Sequence, residues 1–324
     1  MSRTLWLHLG TFKAGSSRIQ QEAWRRRDDL LEQGWLYPMT GLVTDEPEVG
    51  HRHSELVYHR RYEDRWPELL DELVTEVGSS AARNVLMSSE AWSDPHAAPA
   101  LTEVLTALHT AGVVDEVRGV LYLRNRYGYA RSLYREMTRR RFNTLPLHEY
   151  VDLPRQRRKL NPLIVVRTLA KTLDPGSLSV YPYEASGDIG QHFFALLGLP
   201  AVPQEQPVNT SLGALEVEAY RQLKLFAPEL RDSWPGLYAV TSREQWPADV
   251  TERFAPDQLV IEQGWRRRFR RLTGWSADEV DRLLARGDDS GSDVLSCSDD
   301  IRNVVEAWVQ SQPDAAAEQA VSKG

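Results

Sequence analysis

The stretch LWLHLGTFKAGSSRIQQEAWRRR, residues 5–27, begins as an apolar strand-like run and ends as a helical segment. The turn between them, GTFKAGSS, carries two glycines, which permit tight turning and close backbone approach. The exposed amides and the positive dipole end of the helix that follows favour a bound phosphate. Lys13 adds a mobile positive charge, and Ser16 and Ser17 add hydroxyl donors. The stretch therefore predicts a strand, an anion-binding turn and a helix. The same residues are also compatible with an ordinary helix start beside a solvated lysine.

The fold class follows from the runs that resemble this strand. Apolar, β-rich segments alternate with longer segments of helical period, and that alternation is typical of βα units around a largely parallel sheet. The first helix is predicted over residues 16–33, because Gly34 supplies a stop signal. We therefore expect an α/β protein, a single domain with a central parallel β-sheet flanked by helices. The predicted strands are TLWLHL (4–9), NVLMSS (84–89), VRGVLYLR (117–124) and SLSVYPY (177–183).

The length of the chain, 324 residues with 41% hydrophobic content, is sufficient for a full core. We predict one main domain over residues 1–285. Residues 286–324 begin with an acidic, flexible linker, continue with a short helix around 301–309 and end in a small-residue tail predicted to be disordered.

Composition excludes several classes of protein. The apolar runs fall short of the ~20 residues that a membrane span needs, and Arg3, His8 and Lys13 interrupt any secretory leader, so the expected location is the cytoplasm. The one cysteine, Cys297, excludes an internal disulfide and a cysteine-based metal cage. A net charge of −7 argues against wholesale nucleic-acid binding.

A second anion-binding motif lies in VRGVLYLRNRYGYARSLYREMTRRR, residues 117–141. Arg124 stands at the carboxyl end of the predicted strand, where ligands of open α/β sheets bind. Ser132 lies on the helix that follows. The arginine fork and the serine hydroxyl can converge on one phosphate. Taken alone, the motif is also compatible with a structural role, in which Arg124 forms an ion pair and Ser132 is an exposed helical serine.

Together the segments HLGTFKAGSS (8–17), SSEAW (88–92) and VLYLRNRYGYARSLYREM (120–137) resemble the sulfotransferase family that uses 3′-phosphoadenosine 5′-phosphosulfate (PAPS), in its bacterial and carbohydrate-type branch. The resemblance implies the P-loop-like sulfotransferase fold. It also implies that the product is the desulfated nucleotide PAP and that the acceptor is a hydroxyl of a carbohydrate, a glycosylated molecule or a small natural product.

The resemblance assigns site residues in both motifs. In the family a loop of the form PKTGTT or PKTGSS holds the 5′-phosphosulfate, and an arginine and a serine hold the 3′-phosphate. Two positions depart from that pattern: Phe12 replaces the usual proline and Ala14 the usual threonine. The residues that match are Lys13, Ala14, Gly15, Ser16 and Ser17 in the first loop, and Arg124 and Ser132 in the second motif.

Sulfuryl transfer needs a cation at the departing phosphate oxygen and a base for the acceptor proton. Lys13 is the candidate cation, and with backbone dipoles it makes a metal ion unnecessary. Two candidates for the base remain: Glu90, just past the strand in NVLMSSEAW, and His53 in GHRHSEL. Each also fits a structural role, Glu90 in an ion pair and His53 on a solvated loop.

Two other functions stay open. A nucleotide kinase with a Walker A loop would carry its lysine after the last glycine, whereas Lys13 precedes Gly15 by two residues. A non-catalytic nucleotide-binding protein would keep both anion sites without turnover.

Overall fold

The chain folds into two compact units in a computed structural model that describes residues 2–43, 51–58, 63–140, 143–200, 213–233, 237, 259, 261, 263–286 and 294–312. Most of the predicted acidic linker and the predicted tail, residues 287–293 and 313–324, lie outside this set. The first unit comprises Met1–Tyr129, Arg158–Val208 and Ile261–Ala285, and the second comprises Ala130–Arg157, Asn209–Val260 and Arg286–Gly324. The predicted boundary after residue 285 coincides with one of these divisions, and the domain assignment itself stays a prediction.

The first unit is built on one sheet of five parallel strands in the order β2-β3-β1-β4-β5. The predicted α/β class with a central parallel sheet is thereby confirmed. All four predicted strands are present, and the structure adds a two-residue edge strand. The strands are β1 (Thr4–His8), β2 (Trp35–Leu36), β3 (Asn84–Ser88), β4 (Glu116–Leu123) and β5 (Leu178–Pro182).

The central strands are buried on both faces, as expected for a parallel sheet that helices cover on each side. Because side chains alternate along a strand, Leu5 and Leu7 of β1 pack into one apolar cluster, which Val85 and Met87 of β3 also join. Residues at the alternate positions, such as Leu86, belong to the cluster on the other face. This double burial explains why β1, β3 and β4 were recognisable as apolar runs.

Helices flank the sheet, and none that the structure describes combines the length and apolar character of a membrane span. The predicted first helix is divided in two at Arg26, where φ is −103°. Short 3₁₀ turns occur at Glu63–Arg65, Glu90–Ser93, Pro95–Ala97, Tyr183–Ala185 and Pro228–Ser233. The helices are α1 (Ser16–Arg25), α2 (Arg27–Glu32), α3 (Trp66–Ser79), α4 (Ala98–Thr110), α5 (Arg126–Arg140), α6 (Leu147–Asp152), α7 (Pro154–Lys159), α8 (Pro162–Thr172), α9 (Ile189–Leu196), α10 (Ala214–Phe226), α11 (Trp265–Thr273), α12 (Ala277–Leu284) and α13 (Val294–Gln310).

The second unit has its own apolar cluster, which is contributed mainly by α10 and α13. Leu223 of α10 and Ile301 and Val305 of α13 are fully buried in it. Helix α13 is longer than the short helix predicted around 301–309, because it begins at Val294.

Candidate functional site

The loop that joins β1 to α1, residues 9–15 and hereafter the β1–α1 loop, is pinned to β4 by hydrogen bonds. The Leu9 N–H donates to the Val120 carbonyl at 2.8 Å. Further along, both the N–H and the hydroxyl of Thr11 donate to the Tyr122 carbonyl, at 3.4 and 3.2 Å. These bonds hold the loop at the carboxyl edge of the sheet, between β1 and β4.

The turn within this loop has two residues in the left-handed backbone region. Lys13 has φ +63° and Gly15 has φ +76°, and positive φ is uncommon for a residue with a side chain. A β-carbon at Gly15 would also lie 2.4 Å from Ile189 Cγ2 of α9. Glycine is therefore required at position 15 by both conformation and space.

Helix α1 begins at Ser16 without any side-chain cap on its N-terminus. The first N–H groups of a helix have no partner within the helix, and together with the dipole they attract an anion. Ser16 is buried and Ser17 is half-buried at this end. The structure therefore confirms the predicted strand, turn and helix.

Ala14, which the resemblance assigns to the cofactor-binding loop, packs into the core. Its side chain is fully buried in the apolar cluster that contains Ile19 and Ile189. Its N–H donates to the Thr11 carbonyl at 3.2 Å, which closes the turn. Ala14 therefore shapes the loop and has no hydrogen-bond donor left for an anion.

Arg124 brings the second motif to the first loop. It follows β4 directly, and its Nη1 donates to the Lys13 carbonyl at 3.2 Å. The guanidinium carbon lies 5.7 Å from the centre of the Tyr183 ring, within cation–π range. Ser132 lies further along α5, on the part of that helix that belongs to the second unit.

Asn125 fixes the start of α5 beside Arg124. Its Oδ1 accepts from the N–H groups of Tyr127 and Gly128, at 3.1 and 3.0 Å. Its Nδ2 donates to carbonyls at the end of α12, including that of Arg282 at 2.8 Å. The residue after Arg124 thus anchors the strand-to-helix turn.

Glu90 lies just beyond β3, and the Ser89 N–H before it donates to the His8 carbonyl at 3.2 Å. Its two oxygens are held by different partners: Gln20 Nε2 donates to Oε2 at 2.9 Å and Arg52 Nη1 donates to Oε1 at 2.7 Å. Because Gln20 follows Ser16 by one helical turn, this contact places Glu90 against α1. Burial alone would raise the pKa of Glu90, but Arg52 and Gln20 hold that pKa below its ordinary value.

His53 is fully buried and both ring nitrogens bind the backbone. Nε2 lies 3.0 Å from the Pro38 carbonyl, and Nδ1 accepts from the Ser88 N–H at 3.1 Å. Burial lowers the pKa of His53 to about 4, so the ring is neutral near pH 7. With its lone pair engaged by the Ser88 N–H, His53 braces the end of β3, and this geometry argues against the predicted role as base.

Several buried polar atoms at this site have no hydrogen-bond partner among the described residues, and two of them, His8 Nε2 and Ser16 Oγ, lie close together. Both lie beside Gly10 in the β1–α1 loop. Elsewhere in the described part of the chain, no group of three His, Cys, Asp or Glu side chains is arranged to hold a metal ion.

The sequence alone did not point to several residues of this site. Gln20, Arg52 and Tyr183 all contact a predicted site residue. The only available signal was the position of Gln20 one turn after Ser16, which places both on one face of α1.

The sequence matches no known protein family and no curated protein. Among solved structures, it is similar to a sulfotransferase from Alicyclobacillus acidocaldarius, with 17% identity and a TM-score of 0.40 over 72% of this chain and 100% of that chain. Similarity at this level carries no information on activity or substrate.

Proposed function

We propose that this protein is a sulfotransferase that moves the sulfuryl group of PAPS to a hydroxyl of a carbohydrate, a glycosylated molecule or a small natural product. The observation that carries the proposal is the 3.2 Å hydrogen bond from Arg124 Nη1 to the Lys13 carbonyl. Two motifs that are 111 residues apart meet there, at the carboxyl edge of a parallel sheet, where ligands of such sheets bind. A nucleotide with phosphates on both the 3′ and the 5′ oxygen of its ribose needs two adjacent anion sites.

The residues present fit the phosphosulfate end of PAPS. Helix α1 has an uncapped N-terminus, and Ser16 Oγ is buried there without a partner among the described residues. Lys13, Gly15 and Ser17 complete the set of groups that would hold this end. Arg124 would hold the 3′-phosphate, and the assignment of Ser132 to the same phosphate stays a prediction.

When bound, PAPS supplies the sulfuryl group and leaves as PAP. The protein's contribution is electrostatic. The Lys13 ammonium and the first N–H groups of α1 stabilise the negative charge that develops on the departing phosphate oxygen, which is usually the largest single term in such catalysis. The backbone dipoles at the start of α1 are fixed by the fold and need no rearrangement during transfer.

Glu90 is the residue that we propose to accept the acceptor's proton. Its lowered pKa keeps it ionised near neutral pH. Each carboxylate oxygen has two lone-pair sites, so the bonds from Gln20 and Arg52 leave acceptor capacity. The low pKa also makes Glu90 a weak base, because proton-transfer efficiency follows basicity.

That weakness favours one second candidate, a nucleotide-binding protein without turnover. In such a protein the Arg52–Glu90 pair would be purely structural, and its N···O distance of 2.7 Å fits that role as well. A nucleotide kinase is less well supported, because Lys13 lies inside the turn and ahead of Gly15.

Calorimetric titration with PAP, AMP and ADP, together with transfer from labelled PAPS to a panel of hydroxyl acceptors, tests the proposal. We expect PAP to bind more tightly than AMP and at least one acceptor to be sulfated. Tight binding of PAP without transfer to any acceptor would support the second candidate. Equal affinity for PAP and AMP would mean that no 3′-phosphate site exists and would overturn the sulfotransferase proposal, and absence of nucleotide binding would overturn both.

A further inference from the structure

A small polar cradle lies beneath Gly10 in the β1–α1 loop. A β-carbon at Gly10 would lie 2.7 Å from His8 Nε2 and 2.9 Å from Ser16 Oγ, so these two atoms face the same point. His8 is 0% exposed and Ser16 is 6% exposed. Buried polar atoms in native proteins are nearly always hydrogen-bonded, and each exception needs an explanation.

The other side of the His8 ring is occupied. Nδ1 lies 2.7 Å from Ser88 Oγ, and the ring packs against Phe193 with 5.2 Å between centroids. Burial lowers the pKa of His8 to about 4 although the charge of Glu90 opposes this, so the ring is neutral near pH 7. A neutral imidazole has one N–H donor and one acceptor nitrogen. Because the Ser88 hydroxyl can be donor or acceptor, it allows Nε2 to carry the proton.

We infer that His8 is a positioning residue of the anion site, whose Nε2–H donates to Ser16 Oγ once an anion binds at the start of α1. The Ser16 hydroxyl proton is then directed at the anion. This inference rests on the proposed function, since it assigns the anion to the phosphosulfate end of the nucleotide.

This arrangement explains why His8 Nε2 and Ser16 Oγ have no hydrogen-bond partner among the described residues. Ser16 Oγ changes position when χ1 moves between staggered rotamers. His8 Nε2 is the atom nearest to the position of a β-carbon at Gly10, and it can donate in the tautomer that carries its proton there. A serine that accepts from His8 keeps its own proton for a ligand oxygen. The lack of a side chain at position 10 leaves the space for this arrangement.

The test compares two substitutions that retain different halves of the imidazole. His8→Gln keeps a side-chain N–H near the place of Nε2, and His8→Asn keeps one near the place of Nδ1. We expect His8→Gln to bind PAP within about threefold of the wild type and His8→Asn to lose about tenfold or more, the usual range for one hydrogen bond. The opposite order would assign His8 to its contact with Ser88 and overturn the inference.

A double-mutant cycle tests whether His8 acts through Ser16. Ser16→Ala should lose as much affinity for PAP as His8→Asn, and the double variant should lose no more than either. Additive losses would contradict the inference. In the wild type, ¹⁵N NMR of the histidines should show the Nε2–H form of His8, with a shift when PAP is added.

Gly10→Ala provides a variant that keeps histidine at position 8, but its β-carbon would displace His8 Nε2 or Ser16 Oγ. Its β-carbon would fill the cradle, so we expect a folded protein with at least tenfold weaker PAP binding. Gly78→Ala, in α3, is the control and should bind as the wild type does. Wild-type affinity in Gly10→Ala would overturn the inference.

Inorganic pyrophosphate, titrated into the same variants, separates this inference from the proposed function. Suppose that the wild type binds pyrophosphate but not PAP, and that His8→Gln binds pyrophosphate more tightly than His8→Asn does. The positioning role of His8 then stands, and the sulfotransferase proposal fails. If PAP binds the wild type and all variants equally, the positioning role alone fails. Binding of neither compound would overturn both.

Discussion

Lys13 has a backbone conformation that lysine rarely adopts, with φ +63°. Its carbonyl is held by Arg124. Alanine at this position has the same left-handed cost, so Lys13→Ala should leave the loop in place and remove only the ammonium. We expect transfer activity to fall by about 10²–10³, the usual effect of removing one donor from a developing negative charge. Steady-state transfer assays with labelled PAPS measure this.

The matched control for Lys13→Ala is Lys171→Ala, at an exposed position in α8. This variant should keep wild-type turnover, and circular dichroism should show both variants folded. Wild-type turnover in Lys13→Ala would remove the lysine from the proposed chemistry.

Arg124 offers a second prediction, which concerns binding. In the proposed function Arg124 makes a charge-assisted hydrogen bond to the 3′-phosphate, so Arg124→Ala should weaken PAP binding by about 10- to 150-fold. Because Arg124 also holds the Lys13 carbonyl, AMP binding should weaken as well, but by less. The ratio of the two affinities, measured by calorimetry, is therefore the informative quantity.

Arg167→Ala, exposed on α8, controls for the loss of a positive charge. It should leave the PAP-to-AMP ratio at the wild-type value. If Arg124→Ala leaves the ratio of the PAP and AMP affinities unchanged, Arg124 only supports the loop.

Residue types were easier to predict than residue roles. Glu90 and His53 were both chosen as candidate bases because a carboxylate and an imidazole can accept a proton. Their partners come from distant segments, with Gln20 70 residues from Glu90 and Ser88 35 residues from His53. No local pattern contains those contacts, so the sequence could not distinguish a catalytic base from a residue with a structural role.

At the level of elements, the β1–α1 loop depends on Gly15 for both conformation and packing. Gly15→Ala should destabilise the protein by about 1–2 kcal/mol for the left-handed backbone, and by a further ~1–3 kcal/mol for the clash with Ile189. Urea unfolding monitored by circular dichroism gives the free energy of unfolding.

Gly34→Ala separates these two costs. Gly34 has a similar φ of +81°, but a β-carbon there would meet no atom within 4 Å. The free energy of unfolding of Gly34→Ala should therefore fall only by the cost of the left-handed backbone. A second change, Ile189→Ala, should relieve part of the effect of Gly15→Ala, and equal stabilities for Gly15→Ala and Gly34→Ala would contradict this account of the loop.

Elements with a strong local signal were predicted well. Strands β1, β3 and β4 were found because both of their faces are buried, which makes the run continuous. Strand β5 is only partly buried and was found from its β-rich composition. The edge strand β2 has only two residues, Trp35 and Leu36, which is too short for any periodicity. The break between α1 and α2 was also missed, because nothing at Arg26 resembles a helix stop.

For the whole molecule, buried histidines predict how stability depends on pH. Burial lowers the pKa of His8 and of His53 from 6.5 to about 4 in the folded state. Between these values the unfolded chain binds protons that the folded protein does not. The free energy of unfolding should therefore fall as pH drops from about 6.5 to about 4, by up to ~3 kcal/mol for each histidine.

Glu90 adds to this dependence at lower pH. Its folded-state pKa is lowered, so the stability it contributes is present above its unfolded value and is lost as pH falls through the folded one. Urea unfolding between pH 7 and pH 4 measures the histidine contribution. His53→Asn should reduce the slope, and a slope equal to that of the wild type would contradict the burial argument.

The sequence by itself determined the class of fold and the location of the two motifs that are proposed to bind anions, because strand burial, glycine turns and helix starts leave local patterns. The tertiary structure alone decided which groups meet: Arg124 with the Lys13 carbonyl, Glu90 with Arg52, and His8 with Ser88. These contacts join segments that are 38 to 111 residues apart. Their chemistry depends on burial and on parallel strand order, and neither can be read from neighbours in the chain.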